Sequence, residues 1–97
     1  RPMLTTSKAY THRLTVPVEH GGRTIATVRV RRVTPARARR IAARTGGAAN
    51  VDGGIAVISV LTGLPEEAVA AMATADLNRL AELAHRRTEH FLRLRRH

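Results

Sequence analysis

The chain has 97 residues, a formal charge of +10, no cysteine, and only Tyr10 and Phe91 as aromatics. This length suits one domain that buries roughly 60–70% of its unfolded surface. The lack of cysteine excludes a disulfide framework, a thiolate metal site and a thiol nucleophile, and fits a cytoplasmic setting. No apolar run approaches the roughly 18 residues of a membrane span, and no signal-peptide pattern opens the chain.

The charge has two readings. Clustered cations exchange condensed counterions for phosphate contacts, which suggests a nucleic-acid partner. Yet Lys8 is the only lysine, and arginines beside abundant alanine and glycine look like GC-rich coding. A solvated basic surface and a phosphate-binding one both stay open.

In chain order, positions 1–11 lack periodicity and read as a flexible arm ahead of a single domain over 12–95. Two alternating runs follow. Leu14, Val16 and Val18 share one face of the first, and Ala26, Val28 and Val30 share one face of the second. HGG between them signals a hairpin. A three-residue loop, His20-Gly21-Gly22, pairs Val16 with Ala26 and Leu14 with Val28; a two-residue loop would set the apolar faces against each other. Pro17 has no N–H and belongs on an edge. A lone ribbon is marginal in water, so helices must cover its apolar face.

Thr34-Pro35 opens a helix with an N-cap and a proline at its first position. ARARRIAARTGG carries Ile41 as its only large apolar residue and stops at Gly46-Gly47, so this helix packs thinly. NVDGGIAVISVLTGLP (50–65) is the centre of the chain. Ile55, Val57, Ile58, Val60 and Leu61 leave no polar helical face, and a helix apolar all round belongs in a core. A buried strand would also suit such a run, but the ends favour helix. Asn50 or Asp52 can cap it, Gly63 can take the left-handed position, Leu64 can fold back, and Pro65 cannot continue it.

Glu66-Glu67 start a short helix with Val69 and Met72, acids placed in the first turn where the dipole favours them. Thr74 then caps a longer helix. Leu77, Leu80, Ala81, Ala84, Thr88, Phe91 and Leu92 make its apolar stripe, opposite Asn78, Arg79, Glu82, Arg86, Glu89 and Arg93. The fold class is therefore α+β: a small N-terminal β-hairpin packed on a bundle of about four helices.

Chemistry is scarce. His85, Glu89 and His90 lack the HExxH spacing that sets two histidines on one helical face. Ser7 sits in the arm and Ser59 in a helix expected to be buried. The glycine pairs are not followed by Lys-Ser/Thr. No enzyme, metal site or cofactor is expected.

The ordered set VPVEHGGRTIATVRVRRVTP (16–35), IAVISVLTGLPEEAVAAM (55–72) and TADLNRLAEL (74–83) resembles the phage tail assembly chaperone family of the Mu-like type. The resemblance spans about Arg13 to Leu92. It implies a non-enzymatic protein that guards the tape measure protein in the host cytoplasm until tail-tube subunits polymerise around it. Such a protein is absent from the mature virion. The tape measure protein, the tail tube protein and further copies of the chain are the implied partners.

The last helix supplies the candidate partner surface: Leu77, Leu80, Leu83, Phe91, Leu92 and Leu94. Its apolar stripe runs beyond where so small a domain has core left to cover. Phe91 could instead seal the open face of the hairpin. The alternative reading is a nucleic-acid-binding protein using Arg29, Arg31 and Arg32 with Arg37, Arg40 and Arg44, although no Asn or Gln stands near them to read bases. A structural tail adaptor retained in the particle is the other alternative.

Overall fold

The computed structural model describes residues 10–46 and 51–95. Strands β1 (Thr11–His20) and β2 (Arg23–Arg29) pair antiparallel. Helices α1 (Pro35–Thr45), α2 (Val51–Thr62), α3 (Glu66–Ala70) and α4 (Thr74–Arg95) follow. This is the hairpin-plus-four-helix architecture that the patterning predicts. Of the expected arm, residues 1–9 lie outside the described residues, whereas Tyr10 packs against the core and Thr11 opens β1.

The hairpin departs from expectation at its turn. His20 pairs with Arg23, so the loop is Gly21-Gly22 alone. Both glycines have positive φ, 59° and 77°, the two left-handed positions of a type I′ turn. That loop would oppose the apolar faces in a regular ladder, but this ladder is not regular. Val18 pairs with Ile25, whereas Arg13 pairs with Thr27, leaving Leu14 to Pro17 opposite Ala26 alone. The bulge re-aims side chains. The expected pairs Val16–Ala26 and Leu14–Val28 do not form, and Val28 stands opposite His12. Val16 turns outward and is 56% exposed, while Leu14, Val18, Val28 and Val30 are buried.

A bulge leaves strand N–H groups without ladder partners, and buried donors need one. Asp76, in the first turn of α4 and fully buried, supplies it. Its Oδ1 and Oδ2 accept from the Thr15 N–H at 3.0 and 3.1 Å. Oδ2 also accepts from the Thr15 hydroxyl at 3.0 Å and from the Val16 N–H at 3.4 Å. His12 Nε2 lies 2.8 Å from Oδ1 and donates in the tautomer that carries its proton there. The next residue, Pro17, has no N–H to satisfy. One carboxylate thus fixes the bulge and docks α4 on β1.

The helix ends follow the local signals. Thr34 Oγ1 accepts from the Arg37 N–H at 3.2 Å. Gly46, at φ 58°, closes α1 with its N–H on the Ala42 carbonyl at 2.9 Å. No residue of α1 is buried, and only Ala38 and Ile41 lean on the core, the thin packing that its composition predicts. In α2, Ala56, Ile58, Ser59, Val60 and Leu61 are buried. Gly63 has φ 80°, and Ser59 Oγ donates to the Leu64 carbonyl at 2.6 Å, drawing Leu64 back onto the helix. Asn50 lies outside the described residues, as does the Asp52 side chain. α3 buries Ala68 and Val69, and Met72 follows them into the core.

The first helical hydrogen bond of α4 joins the Leu77 N–H to the Ala73 carbonyl at 3.0 Å, so Thr74 lies inside the helix and Ala73 caps it. Its buried line runs through Asp76, Leu80, Leu83 and Ala84. That line is turned away from the expected stripe: Leu83 joins the core and Ala81 faces solvent.

Hydrogen bonding, above all from the Thr15 N–H and against the opposing effect of burial, holds the Asp76 carboxyl down to a pKa of about 2. A depressed carboxylate stabilises fully above its unfolded value near 4 and loses that contribution as pH falls through the folded one. Thermal unfolding should therefore show Tm falling between about pH 4 and 2, with this limb flattened in Asp76→Asn. At neutral pH the Asn amide would set donors against the Thr15 and Val16 N–H groups. Tm should then drop by roughly 10 °C.

Candidate functional site

α2 ends against the strand-to-helix connection. Its last turn carries no basic residue of its own, and its terminal carbonyls need donors. Arg31 provides them from outside. Its N–H and Nε reach the Leu61 carbonyl at 2.8 and 3.0 Å, and Nη2 reaches the Val60 carbonyl at 2.7 Å. A cation there also suits the negative end of the helix dipole. Gly63 is required twice over. Its φ is left-handed, and a Cβ on it would lie 3.3 Å from Arg31 Nη2. Burial first, then the charges of Arg37 and Arg40, push the Arg31 pKa below its ordinary value.

α2 is held at this end and α4 by Asp76, and two clefts are lined by residues of both helices. One, of about 330 Å³, is lined by Ile55, Thr74, Leu77 and Asn78 together with Gly54, Ile58 and Ala81. The other, of about 230 Å³, is lined by Val57, Ala84, His85 and Thr88 with the same three shared residues. Gly54 and Ala81 are small, and nothing lies within 4 Å of a Cβ placed on Gly54. Together the clefts form an apolar trough. Its edge is polar and carries no arginine among the described residues, although the chain is strongly basic.

The structure divides the expected partner residues. Leu80 and Leu83 are fully buried and present no surface. Leu77 is half-buried and lines the trough. Leu92 continues the Ala81–Thr88 line by helical spacing and is 49% exposed. Phe91 is half-buried against the core, and Leu94 is 62% exposed. Gly54, Ile55, Val57 and Ile58, the α2 wall of the trough, were not among the expected site residues. Their signal was present in a helix apolar on every side, more than so small a domain can cover.

The six arginines of the alternative reading do not form one free patch. Arg31 caps α2. Arg44 pairs with Glu66. Arg37 Nη1 donates to the Arg32 carbonyl at 2.8 Å, and Arg29, Arg32 and Arg40 are exposed. A further arginine, Arg87, stacks 3.5 Å from the centroid of the Tyr10 ring and donates to the Val30 carbonyl at 3.2 Å. On the polar face His85 pairs with Glu89 at 3.3 Å. No group of three His, Cys, Asp or Glu side chains among the described residues is placed to hold a metal. No helix among them is long and apolar enough to cross a membrane.

The described chain is a small α+β domain, a bulged hairpin clamped to a helical layer with an open apolar trough. Residues 11–88 match the sequence profile of the family described as phage tail assembly chaperone proteins, E, or 41 or 14. The chain belongs to the phage tail assembly chaperone family. No curated protein and no solved structure matches it.

Arg31→Met keeps the aliphatic stem of the side chain and removes the guanidinium. The terminal carbonyls of α2 then lose their charged donor, and denaturant unfolding should show a loss of about 2 kcal/mol. Arg40→Met, at an exposed position on the same side, should change stability by less than about 0.5 kcal/mol.

Proposed function

We propose that this tail assembly chaperone acts without catalysis, binding the tape measure protein through the α2–α4 trough during tail morphogenesis. The observation that supports this most is the state of α2. A helix apolar on all sides is normally enclosed, yet its Gly54, Ile55 and Val57 side is only half-covered. A tape measure is a long helical chain with apolar stripes, as the resemblance implies, and an amphipathic helix laid in an apolar groove is a standard recognition mode. A polar edge without arginine among the described residues suits weak, reversible shielding. In this reading the protein works in the host cytoplasm, hands its client to the tail tube protein, and is absent from the finished particle. Further copies of the chain are candidate neighbours along the same client.

The alternative nucleic-acid reading loses support at Arg31 and Arg44, whose guanidiniums serve intramolecular contacts. The tail adaptor reading stays distinguishable by composition of the particle. Mass spectrometry of purified particles should not find the chain, and its presence at structural stoichiometry would favour the adaptor.

Ala81→Arg tests the trough directly. Ala81 is exposed on α4, so Tm should stay within a few degrees. A charged side chain in the trough should weaken capture of the cognate tape measure protein on co-expression by at least about tenfold. Undiminished capture by this variant would exclude the trough as the client site.

A further inference from the structure

Away from the trough, one surface gathers charge of a single sign. β2 ends at Arg29, and the chain runs through Val30, Arg31 and Arg32 before α1 begins. Val30 is fully buried; its N–H donates to the Tyr10 carbonyl at 2.8 Å and its carbonyl accepts from Arg87 Nε. Arg87, stacked on Tyr10, is thereby fixed beside the exposed Arg29 and Arg32. Arg32 accepts through its carbonyl from Arg37, which extends the band onto α1. Burial foremost, and then the charges of Arg32 and Arg29, push the Arg87 pKa below its ordinary value.

Among the described residues, no carboxylate pairs with Arg29, Arg32, Arg37 or Arg87; the ion pairs involve His12, Arg44, Arg79 and His85 instead. Like charges this close raise the local potential and draw counter-charge from outside. Apolar surface adjoins the band. Arg87, Phe91 and Leu94 lie on one line of α4 at helical spacing. Leu94, the last of them, is 62% exposed, roughly 10 Å along the axis from Arg87.

We infer that this band and the adjoining end of α4 form a second docking site, for an acidic amphipathic segment of a protein partner. Carboxylates of that segment meet Arg29, Arg32 and Arg37, and an apolar side chain covers Leu94. Arginine suits this role because its planar fork holds a carboxylate by two hydrogen bonds. A nucleic-acid backbone would satisfy the guanidiniums but leave Leu94 in water. The site shares no residue with the trough, so it does not depend on what the trough binds.

The probe is a synthetic amphipathic peptide of about 18 residues, five helical turns, with leucines on one face and glutamates on the other. A copy with every glutamate changed to glutamine and a random duplex DNA serve as comparisons. Titrations use the full chain, the Arg29→Glu/Arg32→Glu double variant, Leu94→Ser and Ala81→Arg. Arg29, Arg32 and Leu94 are all exposed, and unchanged melting confirms that each variant folds. The glutamate peptide should bind at least about tenfold more tightly than the glutamine copy, and weaken as salt rises from roughly 50 to 300 mM. It should lose at least about tenfold on the double variant and severalfold on Leu94→Ser, yet bind Ala81→Arg as it binds the unaltered chain. Equal binding of the two peptides, or indifference to the double variant, overturns the inference. Tighter DNA binding that is insensitive to Leu94→Ser would reassign the band to nucleic acid. Loss of the glutamate peptide in Ala81→Arg would place it in the trough, which also overturns the second site.

Discussion

The carboxylate of Asp76 is the constraint on which the rest of this structure depends. A two-stranded ribbon has no neighbouring strand to fix its register, and here the ribbon carries a bulge at its middle. The Thr15 and Val16 N–H groups, freed from the ladder, converge on one buried carboxylate at the start of α4. An unpaired buried carboxylate would be costly; here four donors approach it in five contacts, and its ionised form is favoured. The bulge and the helix therefore stabilise each other. Neither has the right geometry without the other, because the strand supplies the donors and the helix the acceptor.

Arginine is divided by the fold into two populations. Arg31 ends α2 in place of a residue of its own last turn, and Arg87 joins α4 to the hairpin through Val30 and Tyr10. These guanidiniums are held by contacts within the chain, as cap and as stack. Arg29, Arg32 and Arg40 face water without ion partners among the described residues. A net charge of +10 therefore does not describe one surface. Among the described residues the trough edges are free of arginine, while the hairpin end is crowded with it.

The trough itself follows from a mismatch of supply. α2 contributes apolar side chains on every face, but α1 is alanine- and arginine-rich and leaves that helix only partly covered. Small residues of α2 and α4, Gly54 and Ala81, line both clefts, and a Cβ on Gly54 would meet open space. The result is apolar surface left open on a helix that is apolar on every side.

Local chemistry was enough to read the elements. Thr34-Pro35 and Gly46 bound α1, Gly63 ends α2, and the Gly21-Gly22 turn lies between two strands because each feature acts through residues adjacent in the chain. The resemblance to tail assembly chaperones was legible for the same reason, as an ordered run of such local signals. Only the tertiary structure decided the loop length, the outward turn of Val16 and the rotation of α4. The bulge that turns Val16 outward is met by Asp76 of α4, an acid that reads locally as a favourable first-turn residue. Its helical spacing with Leu80 and Leu83 hinted that it was buried, and Pro17 hinted that the ladder was broken. Nothing in either segment says that they meet, because the contact joins residues some sixty positions apart. The roles of Arg31 and Arg87 were hidden likewise: an arginine in sequence is a charge, and only the carbonyl or ring that it meets makes it a cap or a clamp.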